Sequence, residues 1–216
     1  MRSWKKNWLK MITTTKTNCN LFVSEISKEE LQALPLAQFG GKIHVINHFA
    51  AAESAVNRLK SYPVLGFDTE TRPSFTKGRI NRVALLQLTT DAEAFLFRLC
   101  RMEISKSLLE LLANPNILKI GAAIKNDLDV LKRSAKIKPQ GFIDLQDVMP
   151  KYDIKSLGVA KMAGIVLGIR ISKSQQLSNW ENSILTEAQQ RYAATDAWVC
   201  YRIYEKLKSS HTLKFA

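Results

Sequence analysis

Four acids and a tyrosine in three separated stretches are the candidates for a metal-binding site. They are Asp68, Glu70, Asp127, Tyr192 and Asp196. Unpaired carboxylates held close together repel one another and favour protonation, and a divalent cation removes that conflict. Carboxylate oxygens are hard ligands that suit Mg²⁺ or Mn²⁺. A bound cation would lower the pKa of a water molecule and so prepare it for attack.

Each acid also has a structural explanation that the sequence leaves open. The Asp-Thr-Glu stretch at 68–70 could be a turn with solvated carboxylates. An acid at position 127 is favourable wherever a helix begins, and Asp129 competes with Asp127 for any role in that region. Asp196 could be an exposed acid on an amphipathic helix, although its apolar neighbours are unusual company for a charge.

Two strands and two helices are predicted to carry these residues. Side chains at i and i+2 of a strand point to one face, so Asp68 and Glu70 would share a site at a strand end. Tyr192 and Asp196 are four residues apart, so on a helix they lie one turn apart on the same face. The predicted ranges are strands Val64–Phe67 and Ile117–Ala122 and helices Lys125–Ser134 and Thr186–Lys208.

The order of the remaining elements predicts an α/β domain. Consecutive strands over 83–99 indicate an antiparallel meander, and later strands alternate with helices, which favours a mixed sheet flanked by helices on both faces. Asn47 is the predicted N-cap of the helix that follows it. We expect an N-terminal extension over 1–41 and one domain over 42–216. The other predicted elements are helices at 27–34, 48–61, 104–112 and 154–163 and strands at 43–46, 83–89, 94–99 and 142–145.

The ordered set of motifs resembles the DEDD superfamily of 3′-5′ exonucleases. A strand-end Asp-x-Glu, a mid-chain Asp after a strand and a late Tyr-x-x-x-Asp occur in the family's order, and the tyrosine is typical of the ribonuclease D-like branch, DEDDy. The segment 173–180 (KSQQLSNW) is similar to the Lys-x-x-Gln-x-Ser-Asp/Asn-Trp segment of that branch. Lys77-Gly78-Arg79 followed by VALLQL is similar to Werner-type exonuclease domains. The resemblance spans about 64–207 and implies a ribonuclease H-like fold.

Two positions distinguish this sequence from related branches. The other DEDD branch has a His five residues before the last Asp, where this chain has Arg191. Proofreading polymerase domains place Asn four residues before the middle Asp, where this chain has Ala123. The resemblance is therefore to the tyrosine branch and not to a proofreading module.

The resemblance implies a role for each of the five residues. Asp68 would bridge two divalent cations, Mg²⁺ or Mn²⁺. Glu70 and Asp196 would hold the ion that activates water, and Asp127 would serve the other ion directly or through water. Tyr192 would orient the attacking water. The products would be nucleoside 5′-monophosphates.

Further side chains are candidates for substrate contact. Basic residues would contact phosphates or remain ordinary solvated charges. Phe75 would stack on a terminal base or belong to the core, and Trp180 is expected in the core. Gln176 and Ser178 would brace the site. The candidate nucleic-acid contacts are Thr69, Phe75, Lys77, Arg79, Arg82 and Lys173.

The composition indicates a polyanion as partner. Lys and Arg number 32 against 19 acids, a net charge of +13, which favours nucleic acid, although solubility alone could account for it. No apolar run approaches the ~20 residues of a membrane span, and the basic first twenty residues suit a frayed arm better than a transit peptide. Three scattered cysteines give no disulfide framework or zinc site, so we expect a reducing, cytoplasmic compartment.

The sequence therefore predicts a two-metal-ion 3′-5′ exonuclease that acts on nucleic acid with a free 3′ end. An alternative is a non-catalytic nucleic-acid-binding module with this fold. A basic scaffold without a nucleic-acid ligand would require the acid set to be accidental. The sequence does not choose between DNA and RNA and names no protein partner.

Overall fold

Six strands assemble into one mixed sheet. They are β1 (Lys42–Ile46), β2 (Val64–Thr71), β3 (Val83–Thr89), β4 (Glu93–Phe97), β5 (Leu118–Gly121) and β6 (Phe142–Asp144). The computed structural model describes residues 21–73, 81–135 and 138–212. The strand order is β1-β4-β3-β2-β5-β6. The pairs β2–β3 and β3–β4 are antiparallel, which is the predicted meander, and the other three pairs are parallel.

Helices cover both faces of this sheet. They are α1 (Lys28–Ala33), α2 (Phe49–Leu59), α3 (Lys106–Ala113), α4 (Lys125–Ala135), α5 (Leu145–Val148), α6 (Val159–Leu167) and α7 (Glu187–Thr212), with a 3₁₀ turn at Met149–Tyr152. The predicted mixed sheet flanked by helices on both faces is confirmed. In the part of the chain that the structure describes, none of the helices has the length and apolar character needed to cross a membrane.

The alternation of side chains along β2 divides the core into two layers. Leu65 and Phe67 pack in a cluster with α2, α3 and α4, whereas Val64 packs on the opposite face in a cluster with α6 and α7. Asp68 and Glu70 have the same parity as Val64, so their side chains point to the face that α7 covers. The position of α7 therefore decides what the two acids meet.

Three local predictions need correction. β2 continues through Thr71, because its residues pair with β3 as far as Val83, so the Asp-Thr-Glu stretch is part of a strand and not a turn. His48 is the N-cap of α2 in place of Asn47, since its extended backbone lets Nδ1 accept the Ala51 amide. α6 begins at Val159 and not at 154, because residues 154–157 have no regular structure and the N-cap, Gly158, has an extended backbone.

Residues 21–41 pack against the face of the sheet that carries α6 and α7. Ile26 and Phe39 are buried, and the backbone at Pro35 and Ala37 pairs with Arg170. The Phe39 amide donates to the Thr195 hydroxyl on α7 at 2.9 Å. The proposed division of the chain at residue 41 stays a prediction, but these contacts attach the segment directly to the helix that carries Asp196.

The backbones of β2 and α7 approach each other closely at Gly66. A Cβ atom at this position would lie 2.0 Å from the Ala197 carbonyl oxygen and 2.4 Å from the Thr89 hydroxyl. Ala197 is fully buried at this contact, and its small side chain is compatible with the close approach. Only glycine fits at position 66 without moving the helix.

We predict that Gly66→Ala destabilises the fold and displaces α7. The added methyl group meets backbone atoms that cannot rotate away, so the cost should be about 3 kcal/mol or more. The melting temperature should fall by roughly 6–12 °C. Gly158→Ala is the matched control, because its Cβ would meet nothing within 4 Å. Equal melting temperatures for the two variants in a calorimetric scan would show that the close approach is not required.

Candidate active site

Three of the predicted acids meet where β2 and α7 face each other. Asp68, Glu70 and Asp196 each offer a carboxylate oxygen, and these oxygens lie within 4.8 Å of one another. The three side chains are partly exposed at the end of β2, where the pairing with β3 shifts its register between Glu70 and Thr71. The cluster is thus reachable from solvent, although it lies between a strand and a packed helix.

The start of α7 is fixed by a capping box. The Gln189 amide donates to the Thr186 hydroxyl at 3.2 Å, and the Gln189 side chain accepts the Thr186 amide at 3.0 Å. These reciprocal bonds satisfy free backbone groups at the helix start and set where the helix begins. Tyr192 and Asp196 then follow on the face that meets β2.

Asp127 approaches the cluster from α4, on the other face of the sheet. The Thr69 hydroxyl donates to its Oδ1 atom at 2.6 Å. Asp127 is not one of the three acids within 4.8 Å of one another, but its charge raises the pKa of both Asp68 and Glu70. Asp129 instead forms an ion pair with Lys132 at 2.9 Å. Of the two aspartates, the structure places Asp127 at the site.

The turn that leads into α4 is held by a carboxylate that the sequence analysis did not select. The amides of Ala123 and Ile124 donate to Asp144 at 2.9 and 3.0 Å. Ala123 has a positive φ of 57°, a left-handed conformation that is costly for a residue with a Cβ. The sequence feature that could have identified Asp144 is an acid near the end of the predicted strand 142–145. Asp144 therefore positions Asp127 through the backbone.

The acids are electrostatically strained in the absence of a cation. Burial, reinforced by the charges of Asp196, Glu70 and Asp127, raises the pKa of Asp68 well above its usual value. Burial and the charges of Asp196 and Asp127 raise the pKa of Glu70 to about 8. Burial also raises the pKa of Asp196 to about 7. At neutral pH the cluster retains protons that a divalent cation would displace.

Two neighbours partly offset the burial of Asp196. Hydrogen bonding from the Tyr192 hydroxyl lowers the pKa of Asp196. The positive charge of the exposed Lys173 lowers the pKa of Asp196 as well. The pKa of Tyr192 itself is raised by burial and then by the charges of Asp196 and Glu70. The phenol therefore stays protonated at neutral pH and acts as a hydrogen-bond donor.

The other predicted contacts are distributed around this cluster. Thr69 is buried and its hydroxyl is engaged with Asp127, and Trp180 is fully buried in the core as expected. Ser178 donates to Gln175, and Gln176 is exposed, so neither side chain is seen to brace an acid. Phe75, Lys77 and Arg79 lie outside the described residues.

A second polar residue that the sequence analysis did not select lies beside the acids. Gln87 is the cross-strand partner of Asp68 and is fully buried on the same face of the sheet. Neither polar atom of its side chain has a hydrogen-bond partner among the described residues. A glutamine inside the apolar run VALLQL was the available signal, because buried amides are rare in strand cores.

The donor set fits a divalent cation. Three carboxylates with mutually close oxygens provide hard ligands of the type that Mg²⁺ and Mn²⁺ prefer. Burial raises the pKa of all three acids, and a bound cation would favour their ionised forms. Asp68, Glu70 and Asp196 are the residues that could hold the ion, with Asp127 close by.

The fold agrees with that of known exonucleases. The Escherichia coli RNase D structure, an exoribonuclease involved in structured RNA processing, matches with a TM-score of 0.67 and 27% identity over 77% of this chain and 44% of that one. The complex of Trypanosoma brucei RNase D with RNA U12 matches with a TM-score of 0.68, 20% identity and coverage of 78% and 63%. The predicted ribonuclease H-like fold is confirmed.

Sequence comparisons identify the family. The bifunctional 3′-5′ exonuclease/ATP-dependent helicase WRN of Mus musculus is 35% identical over 186 residues, which are 81% of this chain and 13% of that protein. This chain thus spans only a small part of that relative's length. The model of the 3′-5′ exonuclease family matches residues 43–211. Since that match covers most of the chain, the protein belongs to the 3′-5′ exonuclease family of the DEDD superfamily.

Proposed function

We propose that this protein is a metal-dependent 3′-5′ exonuclease that releases nucleoside 5′-monophosphates from the 3′ end of DNA or RNA. The observation that carries the proposal is the convergence of Asp68, Glu70 and Asp196, whose carboxylate oxygens lie within 4.8 Å of one another. An inactive binding module would have no need to keep three acids in an arrangement that raises their pKa values. Family membership supports the same reaction.

The four acids would coordinate the cations in different ways. Asp68 is influenced by the charges of all three other acids and is the candidate to bridge two ions. Glu70 and Asp196 would hold one ion, and Asp127, restrained by Thr69, would serve the other. When bound, Mg²⁺ or Mn²⁺ supplies the charge that activates water and stabilises a leaving oxygen.

The protein's own side chains would contribute by positioning the attacking water and the substrate phosphate. Tyr192 is protonated at neutral pH, so its hydroxyl can orient the attacking water by donating or accepting a hydrogen bond but does not remove a proton outright. Lys173 stands on the exposed side of Asp196 and can contact a phosphate of the substrate. Pre-positioned groups of this kind lower the barrier without covalent chemistry.

The relatives support a nucleic acid as substrate but leave its type open. The Escherichia coli relative is an exoribonuclease, the Trypanosoma brucei structure contains RNA, and the mouse relative joins an exonuclease to a helicase. Digestion of matched 3′-labelled and 5′-labelled DNA and RNA oligonucleotides with Mg²⁺ or Mn²⁺ tests activity, direction and substrate together. A non-catalytic module would bind these oligonucleotides and leave them intact.

We predict that Asp68→Asn abolishes hydrolysis and stabilises the metal-free protein. Removing a buried carboxylate relieves repulsion with Glu70 and Asp196, while the neutral amide no longer bridges cations. The rate should fall on the order of 10³-fold or more, and the rise in melting temperature caused by Mn²⁺ should disappear. Asp129→Asn, two residues from Asp127, is the control and should behave as wild type. Wild-type rates for Asp68→Asn would refute the two-metal proposal.

We predict that Mn²⁺ binds more tightly as the pH rises through 7 to 8. The folded-state pKa values of Asp196 and Glu70, about 7 and about 8, lie above those of unfolded carboxylates. The metal-free fold is therefore favoured at low pH and loses that stability as the pH rises through these values, whereas the metal increasingly binds without displacing protons. Calorimetric titration in two buffers of different ionisation enthalpy measures the protons released. An affinity independent of pH would contradict the assignment of these ligands.

We predict that Tyr192→Phe lowers the chemical rate and preserves metal binding. The ring contacts, including the one with Trp180 at 6.0 Å between centroids, remain, and the carboxylates are untouched. The single-turnover rate at saturating Mn²⁺ should fall by a factor on the order of 10²–10⁴ if the hydroxyl acts in the transition state. Equal rates would mean that Tyr192 is a packing residue only.

A further inference from the structure

A groove runs along the sheet edge beside the candidate active site. It consists of two adjoining cavities of about 630 and 460 Å³. Both cavities lie where β4 ends and β3 begins. Their shared lining, which we call the arginine groove, is Arg82, Val83, Leu99, Cys100 and Arg101.

The arginine groove starts next to the acids. Val83 pairs with Thr71 of β2, and the next paired position of that ladder is Glu70 with Leu85. Glu181, which lines the smaller cavity, forms an ion pair with Arg72 at 3.3 Å, just beyond the end of β2. A strand with its 3′ end at the acid cluster could therefore enter the groove within a short distance. Ligands of open α/β sheets commonly bind at this edge, outside the carboxyl ends of the parallel strands.

The charge of the groove is suited to an anion. Arg82 and Arg101 are exposed, and neither forms an ion pair within the described ranges 21–73, 81–135 and 138–212. The acids in the lining are Glu103 and the paired Glu181. Guanidinium groups bind phosphates through paired hydrogen bonds.

A third arginine lies beneath the groove. Arg98 is only 1% exposed, and its guanidinium bonds to the Asn182 carbonyl and to the Cys100 sulfur. Its Nε atom has no hydrogen-bond partner, and no carboxylate pairs with it among the residues that the structure describes. A buried cation without a counterion is costly in a folded protein. An anion in the groove would reduce that cost.

The remaining wall of the groove is apolar. Leu99, Met102, Ile104 and Leu109 line the larger cavity together with the arginines. A single strand of nucleic acid carries charge along its backbone and apolar faces on its bases. The combination of two free arginines and an apolar wall matches those two surfaces better than it matches a purely acidic ligand.

We propose that the arginine groove binds the phosphodiester backbone of single-stranded substrate upstream of its 3′ end, with Arg82 and Arg101 as phosphate contacts. The placement relative to the 3′ end rests on the proposed exonuclease function. Binding itself does not require catalysis. The groove would hold the strand while the terminal nucleotide is positioned at Asp68, Glu70 and Asp196.

The test is equilibrium binding of 5′-labelled oligonucleotides of about 12 nucleotides, long enough to span both sites. Oligo-dT and oligo-U are compared by fluorescence anisotropy in EDTA, so that no hydrolysis occurs. Wild type, Arg82→Ala/Arg101→Ala and Arg82→Lys/Arg101→Lys are titrated between about 50 and 200 mM NaCl. Lys28→Ala/Lys161→Ala removes the same charge from exposed positions on α1 and α6 and is the control.

The double alanine variant should bind about tenfold more weakly at low salt, and its salt dependence should be shallower. The slope of log K against log salt should decrease by about 0.7 for each lost phosphate contact, hence by about 1.4. The lysine variant should recover most of the slope because it keeps both charges. An unchanged slope in the alanine variant, or an equal loss in the Lys28/Lys161 control, would overturn the proposal.

A second measurement separates this proposal from the proposed function. A dinucleotide without a 5′-phosphate has no phosphate upstream of its scissile bond for Arg82 or Arg101 to contact, so wild type and the double alanine variant should hydrolyse it at the same rate with Mn²⁺. Wild type should hydrolyse the substrate of about 12 nucleotides faster than the dinucleotide, and the double alanine variant should lose this difference. If the wild type hydrolyses neither substrate but its binding shows the predicted salt dependence, the exonuclease proposal fails and the groove proposal still holds. A slower rate on the dinucleotide would show that the variant disturbs the acids themselves and would overturn the groove assignment.

Discussion

The contact between Gly66 of β2 and the Ala197 carbonyl of α7 is the constraint on which the site depends. It brings a helix backbone against a strand backbone in the interior of the sheet. Asp196 precedes Ala197, and Asp68 follows Gly66 by two residues. The close approach therefore places acids from distant parts of the sequence within a few ångströms, and no local interaction along either element would achieve this.

The same packing creates an electrostatic conflict that a cation resolves. Burial raises the pKa of all three carboxylates between strand and helix, and repulsion from neighbouring acids raises the pKa of Asp68 and Glu70 further. The hydrophobic layers on both sides of the sheet supply the stability that keeps them together. A bound divalent cation would replace this repulsion with attraction and would couple the stability of the site to its occupancy.

Side chains on both faces of the sheet contribute to the site, through different contacts. Asp68 and Glu70 project toward α7, while Thr69 points the other way and holds Asp127 on α4. Asp144 fixes the turn before α4, where Ala123 adopts a left-handed conformation. The arginine groove extends the site along the carboxyl edge of the sheet. The candidate active-site acids and the arginines proposed to bind substrate thus lie on adjacent parts of one sheet.

The sequence by itself determined the elements, the shared face of Asp68 and Glu70 and the helical spacing of Tyr192 and Asp196, because all of these follow from periodicities of two and 3.6 residues. The order of the motifs sufficed to indicate the family. Only the tertiary structure shows that Asp127, and not Asp129, lies near the other acids. It also shows that β2 continues through Thr71 and that Gln87 and Asp144 lie beside the acids. It also formed the groove from residues at 82–84 and 99–104. Those features depend on pairing and packing between residues far apart in the chain, which no local pattern records.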